Sequence, residues 1–196
     1  MEQFWYAFIP LFVALDGVGL LPLYWALAHH LDAPQRRRAA SEAVLTALIA
    51  SVSFLLVSHF VFKLMGLILA DIMIAGGAIL IVLCLKELLL TDAPRPMNHP
   101  SPGVVPLGVP LLAGPAVLTT VLVVRDRYGW EATLLSLFLN MGVVWAILRA
   151  AGWLMQRLGR EGAEVVSKVF SLILTAFGVM LIRHGVTLMV TSGNGH

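Results

Sequence analysis

The chain has 196 residues, of which 59% are hydrophobic and 12% are charged, and its mean hydropathy is +0.90. A soluble globular domain carries about twice that share of charged residues, so the composition excludes a soluble domain and indicates an integral membrane protein. The net charge of +2 does not indicate nucleic-acid binding, because the basic residues lie in connections between apolar runs.

The apolar runs predict an all-α membrane protein with six transmembrane helices, since a span needs about 20 apolar residues. The runs are Phe4–Ala28, Glu42–Phe62, Asp71–Leu90, Val104–Val124, Ala132–Met155 and Val165–Val190. We expect the first run to be a span and not a signal peptide, because the opening Met-Glu-Gln-Phe-Trp has no basic residue and no small-residue cleavage site. The single cysteine, Cys84, excludes an intrachain disulfide.

The first run is interrupted at its centre by the segment ALDGVGLLP, Ala14 to Pro22. Pro10 and Pro22 each remove a backbone donor from the helix, and the glycines after Asp16 leave the backbone uncovered. In lipid, freed amide groups need partners inside the protein or in a water-filled cavity. We therefore expect this helix to unwind at Asp16–Gly19, near the middle of the membrane.

The fourth run carries the same kind of interruption in VPLGVPLLAGPAVLTTV, Val105 to Val121. Pro106 and Pro110 precede a third proline, Pro115, which follows Gly114 directly. We expect this helix to unwind at Ala113–Pro115, with Pro115 in the first turn of a new half-helix.

The two halves of the sequence resemble each other weakly. Pro10-Leu11 aligns with Pro106-Leu107 and, after a shift of two, Asp16-Gly17 faces Gly114-Pro115. IAGGAILI (74–81) can be laid over TAFGVMLI (175–182) with Ala, Gly, Leu and Ile in register. Because each half has an odd number of spans, the second half must cross the membrane in the opposite direction, as in many secondary transporters. The predicted fold is two inverted three-helix repeats, with the first and fourth helices discontinuous at mid-membrane.

The repeats form one transmembrane domain with a predicted orientation. The first repeat is 1–90, the proline-rich loop is 91–103, the second repeat is 104–190 and the frayed tail is 191–196. With six spans, the first, third and fifth loops lie on one side of the membrane. The basic residues on that side are Arg36, Arg37, Arg38, Lys86, Arg95, Arg149, Arg157, Arg160 and Lys168, and those on the other side are Lys63, Arg125, Arg127 and Arg183. The positive-inside rule then places both termini on the non-cytoplasmic side.

Paired interruptions predict a binding site near the membrane midplane. Helix N-termini and uncovered carbonyls suit a small zwitterion: its carboxylate would meet the N-terminal amides, and its ammonium would meet carbonyls or Asp16. The predicted substrate-binding residues are Asp16, Gly17, Val18, Gly19, Ala113, Gly114, Pro115, Thr119 and Thr120.

The polar and small residues near the interruptions each have an alternative structural role. A carboxylate at a helix centre costs about 2.5–3.5 kcal/mol on insertion, so Asp16 must face protein or water. It either caps the second half-helix or acts in substrate binding or in proton or sodium coupling. Thr119 and Thr120 either contact substrate or bond to the preceding turn. Gly76 and Gly77 favour close helix packing first and a lining of the site second.

No pattern of an enzyme or a metal site is found. His29, His30, Asp32 and His99 match no zinc spacing, and the sequence has neither G-x-S-x-G nor H-E-x-x-H. Asp71 is expected to cap a helix near the surface, away from Asp16, so the two do not form an aspartyl pair. We expect no catalytic residue and no cofactor, apart from a coupling H⁺ or Na⁺.

Three segments resemble the signature segments of the MarC family of six-span prokaryotic membrane proteins, a group that includes SnatA-type transporters of small neutral amino acids. They are FVALDGVGLLPLY (Phe12–Tyr24), IAGGAILIVL (Ile74–Leu83) and VPLGVPLLAGPAVLTTV (Val105–Val121), and RLGREGAEVVSKVFSLIL (Arg157–Leu174) is similar to the segment before the family's last span. The sequence departs from the family at Gly17, where proline is usual, and at Ala116, where glycine is usual. The resemblance implies a multi-pass protein of the cytoplasmic (inner) membrane that transports glycine, alanine or similar solutes.

The residues and the resemblance together favour a secondary transporter of small neutral amino acids, working in uptake or export by alternating access. A passive channel or an exporter of another small solute is the alternative, and an intramembrane hydrolase or scaffold is a third hypothesis. The expected partners are the amino acid and the lipid bilayer. The sequence leaves a homo-oligomer open.

Overall fold

The computed structural model describes residues 2–28, 31–89 and 112–193, and every regular element in these ranges is helical. The helices are α1 (Glu2–Leu15), α2 (Leu21–Ala28), α3 (Ala33–Met65), α4 (Leu69–Leu89), α5 (Pro115–Arg149) and α6 (Ala151–Gly193). The all-α prediction is therefore confirmed for the described residues. The predicted inter-repeat loop, Pro106 and Pro110 lie outside them.

Four helical segments are long and apolar enough to cross a membrane, which agrees with an integral membrane protein. They are Ala33–Met65, Leu69–Lys86, Pro115–Arg149 and Glu164–Thr191, and Phe4–Leu15 is a shorter apolar helix. Large apolar side chains such as Phe60 and Leu64 point outwards, with 70% and 76% of their surface exposed, as a lipid-facing surface requires. Six spans in two inverted repeats stay a prediction.

Helix α3 begins earlier than the apolar run predicts, at Ala33 instead of Glu42. The basic segment that follows Asp32, which we expected in a loop, forms the first turns of the helix. Pro34 is compatible with a first helical turn, and the backbone N–H of Asp32 donates to Oε1 of Gln35 at 3.2 Å. Hydropathy detects only the part of a helix that lies in lipid, so it misses this polar extension.

Helix α5 bends sharply at Gly129, whose φ of 79° lies in the left-handed region. Tyr128 stacks on Tyr6 of α1 with ring centroids 6.4 Å apart, and Nδ2 of Asn140 donates to the carbonyl of Phe8 at 3.1 Å. Twelve residues of straight helix would separate Tyr128 and Asn140 by about 18 Å along the axis, yet their partners are two residues apart. The predicted fourth connection is therefore a tight bend, and Gly159 (φ 67°) interrupts α6 in a similar way.

Helices α4 and α6 pack closely, backbone against backbone. A Cβ on Gly77 would lie 2.6 Å from the carbonyl oxygen of Gly178, and a Cβ on Gly178 would lie 2.9 Å from that of Gly77. Further along, a Cβ on Gly185 would lie 2.9 Å from the carbonyl oxygen of Ala70. The pairs run in opposite directions along the two helices, so α4 and α6 are antiparallel.

The bundle has two ends that can be told apart by their residues. We call one the Arg127 end, where Arg127 lies beside His184 of α6. We call the other the Arg36 end, where the guanidinium of Arg36 lies 5.0 Å from the ring centroid of Trp25. Gly152 of α6 lies beside the same Arg36 side chain.

Candidate functional site

The first apolar run is interrupted between α1 and α2, at residues 16–20, where the sequence predicts it. Asp16 has a φ of 44°, a left-handed conformation that aspartate tolerates better than most residues. A tight turn satisfies much of the local backbone, because the N–H of Leu20 donates to the carbonyl of Asp16 at 3.0 Å and that of Leu21 to Val18 at 3.1 Å. Pro22 lies in the first turn of α2.

The carboxylate of Asp16 is buried, with 9% of the residue exposed, and it caps the start of α2. Its Oδ1 accepts the backbone N–H of Gly19 at 3.0 Å. The carboxylate fills the space where a Cβ on Gly19 would stand, so this position requires glycine. The geometry is that of the capping role considered from the sequence, and it places an acidic side chain inside the bundle.

Two other helices hold the interruption in place. Gly17 packs against α5, where a Cβ would lie 2.9 Å from Cγ2 of Val144. The carbonyl of Gly19 accepts a hydrogen bond from Oγ of Ser167 in α6 at 3.2 Å. Val18 is half-buried and packs on the hydrophobic core.

Ser167 is a contact that the sequence reasoning missed. A serine in an apolar helix usually bonds to its own preceding turn, which hides a longer-range role. The spacing of small residues along α6 could have indicated this contact. Four of them lie on one face of the helix and are buried: Ser167, Ser171, Gly178 and Gly185. Such a face predicts close contact with neighbouring helices.

The second predicted interruption, Ala113–Pro115, lies at the start of α5, and the residues directly before Leu112 are outside the described ranges. Leu112 and Ala113 are buried, Gly114 is the extended N-cap residue, and Pro115 is the first helical residue. Gly114 has no side chain to cap the helix, so the amides of Ala116 and Val117 depend on partners from outside their own helix. The two helix N-termini therefore differ in their acidic groups: the Asp16 carboxyl lies just before α2, whereas the N-cap residue of α5, Gly114, has no side chain.

The two threonines after Pro115 have different environments. Oγ1 of Thr120 donates to the carbonyl of Ala116 at 2.7 Å, which is bonding to the preceding turn. Thr119 is 3% exposed and packs directly on Gly76 of α4, where its side chain occupies the position a Cβ on Gly76 would need. Of the predicted residues, Gly76 thus contacts α5, while Gly77 contacts α6.

A cavity of about 250 Å³ lies between α1, α4, α5 and α6 on the side of the Arg127 end. Pro10 of α1 and Thr120 of α5 both line it, together with Met73 of α4 and residues of α6. Arg127 and His184 stand among its lining residues. The cavity therefore brings Thr120, predicted as a site residue, to the same space as Pro10. The prediction that Pro10 breaks its helix is wrong, because α1 continues through it to Leu15.

Polar and aromatic contacts join α2 to the start of α3 at the Arg36 end. The hydroxyl of Tyr24 donates to the carbonyl of Arg36 at 2.8 Å, and Nη2 of Arg36 donates to the carbonyl of Leu31 at 3.3 Å. The Arg36 guanidinium lies over the ring of Trp25, an arrangement that is typical of a membrane interface. In the part of the chain that the structure describes, no group of three or more His, Cys, Asp and Glu residues could hold a metal ion.

Sequence comparisons place the chain among membrane proteins of bacteria and archaea. The family described as MarC family integral membrane protein matches residues 1–190. A UPF0056 membrane protein of Pyrococcus abyssi is 26% identical over 192 residues, covering 95% of both chains. The UPF0056 inner membrane protein YhgN of Escherichia coli (strain K12) is 24% identical over 193 residues, covering 96% of this chain and 98% of YhgN. No solved structure matches this chain.

Proposed function

Because the chain belongs to the MarC family of integral membrane proteins, which confirms the family resemblance of its motifs, we propose that it works as a membrane transporter. The proposed activity is secondary transport of small neutral amino acids such as glycine and alanine, in uptake or export. The observations that carry the proposal are the interruption between α1 and α2, with its buried Asp16 carboxylate, and the N-terminus of α5, which is capped only by glycine.

The charges at the two interruptions match the two charges of an amino acid. The start of α5 offers the amides of Ala116 and Val117 and the positive end of a helix dipole, which suit a carboxylate. The start of α2 already has the carboxylate of Asp16, so it suits an ammonium group. Gly17 and Ala113 are buried and leave little room beside them, which favours a small side chain.

The transporter proposal includes six spans in two inverted repeats. In it, α1 and α2 together form the first span, and the bend at Gly129 separates the fourth span from the fifth. The α4–α6 contact supports the repeat: the sequence alignment pairs Gly77 with Gly178 and Ile81 with Ile182. A Cβ on Gly77 would approach Ile182, and a Cβ on Gly178 would approach Ile81, at 2.8 and 2.9 Å. Such a reciprocal contact is expected on a two-fold axis.

The different ends of the bundle support alternating access. The cavity lies towards the Arg127 end, whereas Tyr24, Trp25 and Arg36 close the Arg36 end. If the Arg36 end is cytoplasmic, as the distribution of basic residues predicts, this conformation has its cavity towards the other side of the membrane. Both termini then lie on the non-cytoplasmic side.

The proposal is tested by counterflow of radiolabelled glycine and alanine in proteoliposomes, with proton and sodium gradients varied. We compare the wild type with Asp16→Asn, because asparagine keeps the oxygen that caps Gly19 and removes only the charge. Asp71→Asn is the matched control, since Asp71 caps α4 through Ile68 on an exposed site. We expect Asp16→Asn to abolish transport and Asp71→Asn to preserve it.

Other outcomes of the same assay contradict the proposal in different ways. Transport by Asp16→Asn at the wild-type rate would leave Asp16 as a helix cap alone. Flux without dependence on any ion gradient would favour the alternative, a passive channel. The absence of glycine and alanine transport by a folded wild type would point to another small solute.

A further inference from the structure

We propose that the cavity at the Arg127 end is a separate binding site for the carboxylate of a small solute, with Arg127 as its charged ligand. This inference rests on the proposed function and adds an outer site to it, at which substrate is held before it reaches the interrupted helices. Neither the family description nor the names of the relatives assign a role to this cavity.

The charge of Arg127 is not neutralised by the protein around it. Its Nη2 lies 3.4 Å from Nδ1 of His184, so the imidazole accepts this contact as a neutral ring. Within the described ranges, no carboxylate oxygen lies within 4 Å of Arg127, whereas Arg38 pairs with Glu42 at 2.8 Å and Lys168 with Glu164 at 2.9 Å. The Arg127 guanidinium therefore keeps most of its donors for a ligand.

The walls of the cavity indicate what kind of anion fits. They come from α1, α4, α5 and α6, and apart from Arg127, His184, Thr120 and the aromatic side chains they are aliphatic or thioether groups such as Ile9, Met73 and Val123. The volume of about 250 Å³ corresponds to roughly eight water molecules at their liquid volume. A small carboxylate with a short apolar chain fits this combination of one cation and apolar walls.

The position of the cavity gives the site a place in transport. Thr120, on its wall, stands five residues after Pro115, which is about 7.5 Å along the helix. Arg127 stands two turns further out on the same helix. The cavity site therefore lies on the same helix as the amides at the N-terminus of α5, about 18 Å along its axis from Pro115 to Arg127, and has the same charge preference.

The test measures ligand protection of a cysteine placed in the cavity. Val123→Cys is made in a Cys84→Ala background and labelled with a maleimide in proteoliposomes, and Met180→Cys, also on the cavity wall, provides a second position. The probes are glycine, acetate and methylamine. We expect glycine and acetate to slow labelling at least several-fold and methylamine, which lacks a carboxylate, to leave it unchanged.

Arg127→Gln and Arg125→Gln form the matched pair of variants. Arg125 is two residues away and lies over the ring of Trp130 at 4.9 Å, and it does not line the cavity. We expect Arg127→Gln to lose the protection and to raise the KM for glycine by about tenfold or more, with little change in kcat, because a charge-assisted hydrogen bond is lost. Arg125→Gln should behave as the parent protein does.

The outcomes separate this inference from the proposed function. One outcome is that acetate and glycine slow labelling in a protein that transports neither solute, with the protection lost in Arg127→Gln. That result would support the cavity site and contradict amino acid transport. Normal transport with no protection at either cysteine, and with an unchanged KM in Arg127→Gln, would overturn the cavity site and leave the transporter. Labelling that responds only to removal of lipid would assign the cavity to a lipid and also overturn the inference.

Discussion

Asp16 illustrates how one residue links the conformation of the chain to a local charge. Its left-handed φ of 44° turns the chain out of α1, and its carboxylate then accepts the N–H of Gly19 at the start of α2. The position of this interruption could be predicted from the sequence, because glycine, proline and aspartate act on the backbone within a few residues. The partner Ser167 could not, because its contact spans 148 positions in the sequence.

We expect Gly19→Ala to disrupt the cap at Asp16. The added Cβ would overlap the Asp16 carboxylate, which would have to leave the N–H of Gly19, and overpacking of this kind costs about 1–3 kcal/mol. The measurement is the Tm in detergent, followed by intrinsic fluorescence. Gly142→Ala is the control, since a Cβ there meets nothing within 4 Å. Equal Tm values for the two variants would contradict the crowded geometry at Gly19.

At the scale of the helices, hydropathy located most of the described elements but misjudged some of their ends. The start of α3 was predicted at Glu42, and the helix in fact begins at Ala33, because local capping at Asp32 extends it beyond the apolar run. The bend at Gly129 agrees with the predicted fourth connection, although it takes a single residue where we expected a loop. Which glycines pack tightly is decided by neighbouring helices, and only the matched segments 74–81 and 175–182 indicated it in the sequence.

The antiparallel contact of α4 and α6 predicts two variants with matching effects. Gly77→Ala and Gly178→Ala would each place a methyl group against a backbone carbonyl, which has little freedom to move. Each should therefore lower stability by about 1–3 kcal/mol, since the helices must separate. Thermal unfolding of both variants beside Gly142→Ala measures this. A loss at one position without a loss at the other would contradict the reciprocal packing and weaken the case for the repeat.

The bend of α5 predicts a different dependence on the side chain. A Cβ on Gly129 meets no atom within 4 Å, so any cost of substitution comes from its φ of 79°. Gly129→Ala and Gly129→Asn should each cost about 1–3 kcal/mol, because a φ of 79° with a ψ of −179° is a conformation that essentially only glycine adopts. The Tm values of both variants beside that of Gly142→Ala measure this backbone strain. A Tm of Gly129→Ala equal to that of Gly142→Ala would indicate that the bend does not depend on glycine.

At the scale of the whole molecule, the two ends of the bundle differ in what holds them. The Arg127 end has a cavity and a cation without a carboxylate partner in the described ranges, whereas the Arg36 end has hydrogen bonds and a stacked guanidinium. The sequence could supply the distribution of charge between the ends. It could not supply which end is open, because that depends on how four helices meet around the cavity.

The closed Arg36 end gives the last prediction, which concerns the balance between two conformations. Tyr24→Phe removes the hydroxyl that donates to the carbonyl of Arg36 at 2.8 Å, and a net hydrogen bond contributes about 0.5–1.5 kcal/mol. The closed state should lose that stabilisation, so opening at this end should become about 2–10 times more frequent.

Labelling of Gly152→Cys in a Cys84→Ala background measures the opening. A Cβ on Gly152 would lie 3.6 Å from Nη1 of Arg36 and 3.6 Å from Cζ3 of Trp25, which is ordinary van der Waals contact, so a cysteine fits beside these two side chains. Tyr24→Phe should raise its rate of reaction with a membrane-impermeant maleimide applied from the Arg36 end. Tyr128→Phe, which changes a tyrosine at the other end, should leave the rate unchanged. An unchanged rate in Tyr24→Phe would mean that the Tyr24–Arg36 hydrogen bond does not hold this end closed, and the barrier would then lie in the packing of Trp25 against α6.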